Sequence, residues 1–350
     1  MKLDDLYTNK TLIYNSPFSD ICKVKPIPES PYITENQKTK QYVVLKIVDL
    51  DFKIPPHSIT RELEVLKKLQ HHQKKDGYVG IIEYLNDFQI IDDKFLVLDF
   101  YPFTLNQLIQ TPKYMSKTLK FGSIDEKGDM KHIIKNKINN SDIKIFLQNL
   151  INSIKFIHSN EIIHRDLKPS NIFFKDDDIT QPIIGDFGCC YNLQNPPEDE
   201  PFDLKYVDIS SSIYKSPELL LGITNYSYEV DYWSIGIILT ILYSKNFKSI
   251  LIKNENELNN DSQINDLHLL VCIFKTFGTP TYLKEDENDE NLYWPELNND
   301  DLHFKKFNLQ KLPRLSISEI LPNSNDEYVE KLFSNLIRYD RSKRKMYIED

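Results

Sequence analysis

The residues best suited to chemistry stand in one run, His164-Arg165-Asp166-Leu167-Lys168-Pro169-Ser170-Asn171, followed by Asp186-Phe187-Gly188. A carboxylate at Asp166 can orient an acceptor hydroxyl and take its proton, and the amide oxygen of Asn171 can ligate a hard cation. Lys168 lies between them, near a transferred phosphate. Asp186 precedes an apolar anchor and a flexible glycine, and its carboxylate suits a magnesium ion that bridges phosphates. These types at this spacing suit phosphoryl transfer, where catalysis is mostly positioning and charge neutralisation.

The elements that must position these groups can be read from periodicity. The run follows DIKIFLQNLINSIKFIHS, whose apolar residues recur at helical spacing, and precedes the strand-like IFF; PIIG leads as a strand into Asp186. Upstream, QYVVLKIVDL is β-branched and reads as a strand, SITRELEVLKKL as a helix, and FQIIDD with KFLVLDFY as two further strands joined by a turn. Beyond Leu105 the pattern becomes helical, with LNQLI, VDYWSIGIILTILYS, DLHLLVCIFKTFG and EYVEKLFSNLIRYD. The expectation is an α+β chain with two lobes: a small β-rich N-terminal lobe with one main helix over 1–98, a connecting hinge over 99–103, and a larger, mostly α-helical lobe over 104–350. The lysine-rich stretch from Thr111 to Asn140 reads as a polar insertion loop, as do Lys253 to Asn265 and the acidic KEDENDEN.

A chain of 350 residues with 40% hydrophobic content can fill two cores, and its net charge of -9 argues against a nucleic-acid or anionic-membrane binder. The first residues do not resemble a secretory signal, and the apolar stretch Trp233 to Tyr243 is shorter than the roughly 20 residues that span a bilayer. A soluble protein of the cytoplasm or nucleus is expected. Cys22, Cys189, Cys190 and Cys272 have no metal-ligand spacing and read as reduced, buried thiols.

HRDLKPSN, DFG and Ser216-Pro217-Glu218, in this order and spacing, resemble the protein kinase family, and the LKPSN form resembles its serine/threonine branch. The resemblance implies the bilobal kinase fold, with ATP and Mg2+ as cofactors. It makes Asp166 the base, aided by Lys168, and Asn171 and Asp186 the magnesium ligands. Lys46 in VVLKI stands where the family places the lysine that contacts the α- and β-phosphates, and Glu62 where it places that lysine's ion-pair partner. Leu98 falls at the gatekeeper position, and Asp99 to Tyr101 should offer backbone groups to adenine. Structural roles are implied for Asp231, capping the catalytic loop, and for an ion pair between Glu218 and Arg344.

SPELLLG, FKTFGTPT and YWPEL resemble the group containing cyclin-dependent and MAP kinases, and PHSITRE is similar to the PSTAIRE helix that binds cyclin. Two departures refine this. No glycine precedes Gly77, so Asn15, Pro17 and Asp20 stand where a glycine-rich phosphate loop normally has glycines, and the nucleotide must rely more on Lys46 and magnesium. The segment Asp186 to Glu218 contains no threonine; Tyr206 takes the phosphosite position, and Tyr191 replaces a basic residue that helps to bind phosphate. Arg165 and Arg61 remain, and one of Glu198, Asp199, Glu200, Asp203 and Asp208 could neutralise Arg165 instead. Ser211 is expected to contact Asp166 and Lys168. This combination resembles the yeast-type, single-subunit kinases that activate cyclin-dependent kinases. The resemblance implies a monomer that needs no cyclin and has a cyclin-dependent kinase as its protein substrate. Ser210 and Lys215 replace the Val and Arg of proline-directed relatives, which argues against proline direction. A proline-directed cyclin-dependent or MAP-like kinase, and a pseudokinase scaffold, remain the alternatives.

Overall fold

The computed structural model describes residues 2–51, 53–76, 80–124, 130–252, 264–282, 291–299 and 310–348. The polar run 253–265 and the acidic stretch 284–291 lie almost wholly outside them.

Strands β1 (Tyr7–Asn15), β2 (Asp20–Pro26), β3 (Val43–Asp49), β4 (Tyr84–Ile90) and β5 (Asp93–Asp99) form an antiparallel sheet in the order β1-β2-β3-β5-β4. Alternation fixes its register: Val43 and Leu45 face a small core with Val24, Phe95 and Val97, while Lys46 points to the opposite face. A short helix, α1 (Glu35–Lys38), links β2 and β3. The long helix α2 (Ile59–Asp76) packs on the sheet through Val65, Leu66 and Leu69, and Glu62 shares that buried face because one and two turns separate these positions. Ser58 caps its start, its Oγ accepting from the Arg61 N–H at 3.2 Å.

The second lobe is built on α4 (Asn140–Ser159), α6 (Glu229–Leu242), α7 (Asp266–Phe277) and α9 (Glu327–Leu336), with the short helices α3 (Leu105–Leu108), α5 (Pro217–Leu220) and α8 (Ile317–Ile320) at its edges. α4 buries Ile143, Phe146, Leu147, Leu150 and Ile154 on one stripe, each worth about 1.5–3 kcal/mol of apolar burial. α6 is apolar on every side and lies at the centre of the lobe, as its continuous apolar sequence requires. Gly236 makes that possible on one side, since a Cβ there would meet Ile337 Cδ1 at 2.6 Å. Among the described residues no helix is long and apolar enough to cross a membrane.

Short strand pairs carry the loops of the cleft. β6 (Phe103–Thr104), β10 (Ile172–Phe174) and β11 (Ile183–Ile184) form one sheet, and β9 (Ile162–Ile163) pairs with β12 (Tyr191–Asn192). The expected loop over Thr111 to Asn140 is instead largely a hairpin of β7 (Met115–Ile124) and β8 (Met130–Asn136). Its base is pinned to the α6 end, where Asn136 Nδ2 donates to the carbonyls of Leu242 and Ser244 at 2.7 and 2.8 Å. Charge concealed a weak alternation in which Met115, Leu119 and Phe121 take every second or fourth position.

Candidate active site

The cleft groups come together from four elements. Lys46 on β3 donates from Nζ to Asp186 Oδ1 at 2.9 Å and lies 2.7 Å from Glu62 Oε2 on α2. Burial alone would lower the Lys46 ammonium's pKa and raise that of the Asp186 carboxyl. The attraction of Lys46 for Asp186 and Glu62 outweighs this, holding the ammonium above and Asp186 well below their ordinary values. Gly188 leaves room for this triad: a Cβ there would lie 3.3 Å from both Lys46 Nζ and Asp186 Oδ1. Phe187 is fully buried beside His164, which anchors the segment that carries Asp186.

The loop between β9 and β10 presents the other groups. Asp231, at the start of α6, accepts from the backbone N–H groups of His164 at 2.9 Å and Arg165 at 2.8 Å, and its third contact is His158 Nε2. These bonds hold Arg165 at φ +70°, a conformation uncommon for a side-chain-bearing residue. Asp166 then faces the cleft. Lys168 Nζ donates to Asp166 Oδ2 at 2.8 Å, and Asn171 Nδ2 donates to the Asp166 carbonyl at 2.8 Å. Ser211 Oγ donates to Asp166 Oδ1 at 2.9 Å and accepts from Lys168 Nζ at 2.6 Å, as its position in sequence predicts.

Asn171 and Asp186 supply an amide oxygen and a carboxylate, hard donors of the kind magnesium selects. Among the described residues no three or more His, Cys, Asp or Glu side chains cluster as a metal site. The pair fits magnesium as a site completed by nucleotide phosphate oxygens. At the hinge, the Asp99 side chain is engaged by Lys40 Nζ at 2.7 Å, and Tyr101 is buried, its hydroxyl accepting from the Glu83 N–H at 3.4 Å. Both side chains are engaged within the chain, and the Phe100 N–H donates to Asp99 Oδ1 at 3.0 Å.

The activation segment, Asp186 to Glu218, is tied down at both ends. Glu218 and Arg344 form a buried bidentate pair at 2.7 and 3.1 Å. Near the start, Arg165 donates to the carbonyls of Cys189 at 2.5 Å and Cys190 at 3.4 Å. Of the five candidate acids from Glu198 to Asp208, Glu200 neutralises Arg165: it is wholly buried, accepts from Arg165 Nη1 and Nη2, and also accepts from Arg61 Nη1 at 3.3 Å. Tyr191 packs its ring under Arg165 and donates its hydroxyl proton to the Glu200 carbonyl at 3.2 Å. Tyr206 gives only its backbone N–H to Glu200 Oε1, at 3.0 Å; its hydroxyl points to Asp199. Ser210 sits at φ +61° and Lys215 pairs with Asp208 and Asp266. Sequence reasoning missed one contact altogether: Phe18, in the β1–β2 turn, stacks on His57 with ring centroids 3.6 Å apart. No periodic signal links those positions.

Two carboxylates, an amide and a lysine converge under a sheet that supplies a paired lysine. The family model for the protein kinase domain matches residues 31–347. This chain belongs to the protein kinase family. The matched stretch begins after β1 and β2, the two strands whose turn lacks glycine. Serine/threonine-protein kinase CAK1 of Saccharomyces cerevisiae is 29% identical over 264 residues, 69% of this chain and 70% of that protein. Serine/threonine-protein kinase csk1 of Schizosaccharomyces pombe is 26% identical over 313 residues, 88% of this chain and 84% of its own length. Cyclin-dependent kinase 11 of Dictyostelium discoideum is 28% identical over 253 residues, 71% of this chain and 58% of that protein. The chain is a protein serine/threonine kinase with the bilobal α+β kinase fold.

Proposed function

We propose that this kinase activates other kinases: it transfers the γ-phosphoryl group of ATP to the activation-segment threonine of a cyclin-dependent kinase, and does so as a monomer without a cyclin. The observation that carries this reading is the Arg61 bridge. Arg61 of α2 reaches both Glu200 and the Cys190 carbonyl, at 3.3 Å each, so the chain's own activation segment holds the helix that closes the Lys46–Glu62 pair. An intrachain link of this kind does the work that a bound partner or a phosphorylated threonine would otherwise do. The similarity to CAK1 supports the same reading.

In this mechanism Asp166 accepts the proton of the acceptor hydroxyl as its oxygen bonds to the γ-phosphorus, and the bond from phosphorus to the β–γ bridging oxygen breaks, leaving ADP. Lys168 steadies Asp166 and the transferred phosphoryl, Lys46 the α- and β-phosphates, and the Asp99 to Tyr101 backbone the adenine. Magnesium, held by Asn171 and Asp186, would neutralise phosphate charge.

The test is a phosphosite-mapped assay of the purified chain alone on a monomeric, catalytically inactive cyclin-dependent kinase. Phosphothreonine in the substrate's activation segment without cyclin is the expected result. A strict requirement for a cyclin bound to this chain, or a marked preference for peptides with serine or threonine before proline, would overturn it.

A further inference from the structure

The β1–β2 turn has no amide to spare. The Ser16 N–H donates to the Ser19 carbonyl at 3.1 Å, and the N–H groups of Phe18 and Ser19 both donate to Ser16 Oγ, at 3.2 and 3.1 Å. Pro17 has none to give. Asn15 Nδ2 donates to Asp20 Oδ1 at 2.5 Å and closes the strand ends below the turn. As folded, the turn cannot hold phosphate through its backbone, so its position over the cleft needs another cause.

One aromatic contact supplies that cause. His57 lies just before α2; its own N–H donates to the Ile54 carbonyl at 2.9 Å, and the next N–H, of Ser58, donates to the Gly188 carbonyl at 3.0 Å. The buried Cys189 Sγ lies 3.3 Å from His57 Nδ1 and 3.4 Å from Nε2. The imidazole is thus fixed to the segment that carries Asp186, and Phe18 stacks on it with the ring planes 26° apart. Phe18 and His57 line one cavity together with Lys46, Glu62 and Gly188. Their stack therefore borders the groups at the phosphate end of the cleft.

We infer that the Phe18–His57 stack is the latch that sets this lid over the nucleotide, with His57 a positioning residue for ATP. The lid is held by ring on ring and not by amide on phosphate. This inference rests on the kinase reading, which fails separately if the unaltered chain transfers no phosphoryl group.

Steady-state kinetics of the full-length chain test it, with ATP varied at saturating protein substrate. Phe18→Ala and His57→Ala are each expected to raise KM for ATP roughly two- to tenfold, the range of an aromatic pair's worth, with kcat within about twofold. The double variant should be no worse than either single one, because both remove the same contact. His57→Phe, which keeps a ring, should restore KM to within about twofold of the unaltered chain. Thermal unfolding of each variant checks that the lobe still folds. Unchanged KM in Phe18→Ala, additive effects in the double variant, failure of His57→Phe to rescue, or tighter ATP binding on loss of either ring would overturn the inference; the last would make the stack a plug.

Discussion

The carboxylate of Glu200 lies wholly buried against the guanidinium of Arg165, with Oε2 3.2 Å from Nη2 and a further bond from Arg61. Arg165 immediately precedes the proposed base, and through Nε and Nη2 it also donates to the carbonyls of Cys189 and Cys190. One anion therefore joins the catalytic loop, α2 and the activation segment. Replacing Glu200 by Gln would leave two guanidinium groups without a counter-charge, which for a buried pair costs about 3–5 kcal/mol. Glu200→Gln is expected to lower kcat/KM at least tenfold and to shift the denaturant midpoint downward, whereas Tyr206→Phe should stay within about twofold of the unaltered chain. Kinetics beside a denaturant titration check both, and full activity in Glu200→Gln contradicts the assignment.

Asp166→Asn keeps the shape of the side chain and removes its basicity. Turnover should fall by about 10²–10⁴-fold while ATP binding, measured calorimetrically, is retained, because the base acts in transfer and not in holding the nucleotide. Parallel loss of both would mean that Asp166 organises the nucleotide site instead.

Asn15 and Asp20 stand at glycine positions of the usual phosphate loop, yet their side chains bond to each other and not into the cleft. Asn15→Ala and Asp20→Ala are each expected to change ATP affinity less than about threefold, since an exposed pair contributes little. A large drop would bring this turn into contact with phosphate.

Burial pushes the Cys190 thiol up to about 12 and the Cys189 thiol well above its usual value, outweighing the nearby Arg165. The thiolate is the reactive form, so with a pKa near 12 only about one Cys190 in 10⁴ is reactive at pH 8. Alkylation of the native protein at these two positions should be negligible at pH 7 to 8 and rise about tenfold per pH unit above that, reaching the normal rate only on unfolding. Peptide mapping after iodoacetamide treatment reads this directly. Rapid native-state labelling of Cys190 would show an open activation segment.

Much of the site was legible because it is local in the chain. The spacing of Asp166, Lys168 and Asn171 places them on one loop wherever that loop sits, and the helical period of ITRELEVLKKL puts Glu62 on the same stripe as Val65 and Leu69. Ser211 and Asp231 fell where the motifs put them for the same reason. What could not be read depended on the path of irregular backbone. The five acids from Glu198 to Asp208 were equivalent as letters, and only the turn after Pro197, where the Glu200 N–H bonds the Pro197 carbonyl at 3.1 Å, brings Glu200 inward. The Phe18–His57 stack joins two loops at one end of the sheet, the β1–β2 turn and the irregular segment after β3, whose path the letters do not give. The β7–β8 hairpin was hidden by its lysines, which mark a solvated surface in a strand as readily as in a loop.

Glu200 also differs from a phosphorylated residue in permanence. A phosphate ester can be hydrolysed, and the arginines that it ordered are then released. A carboxylate that belongs to the chain is present from the moment of synthesis, and no phosphatase can reverse the order it brings.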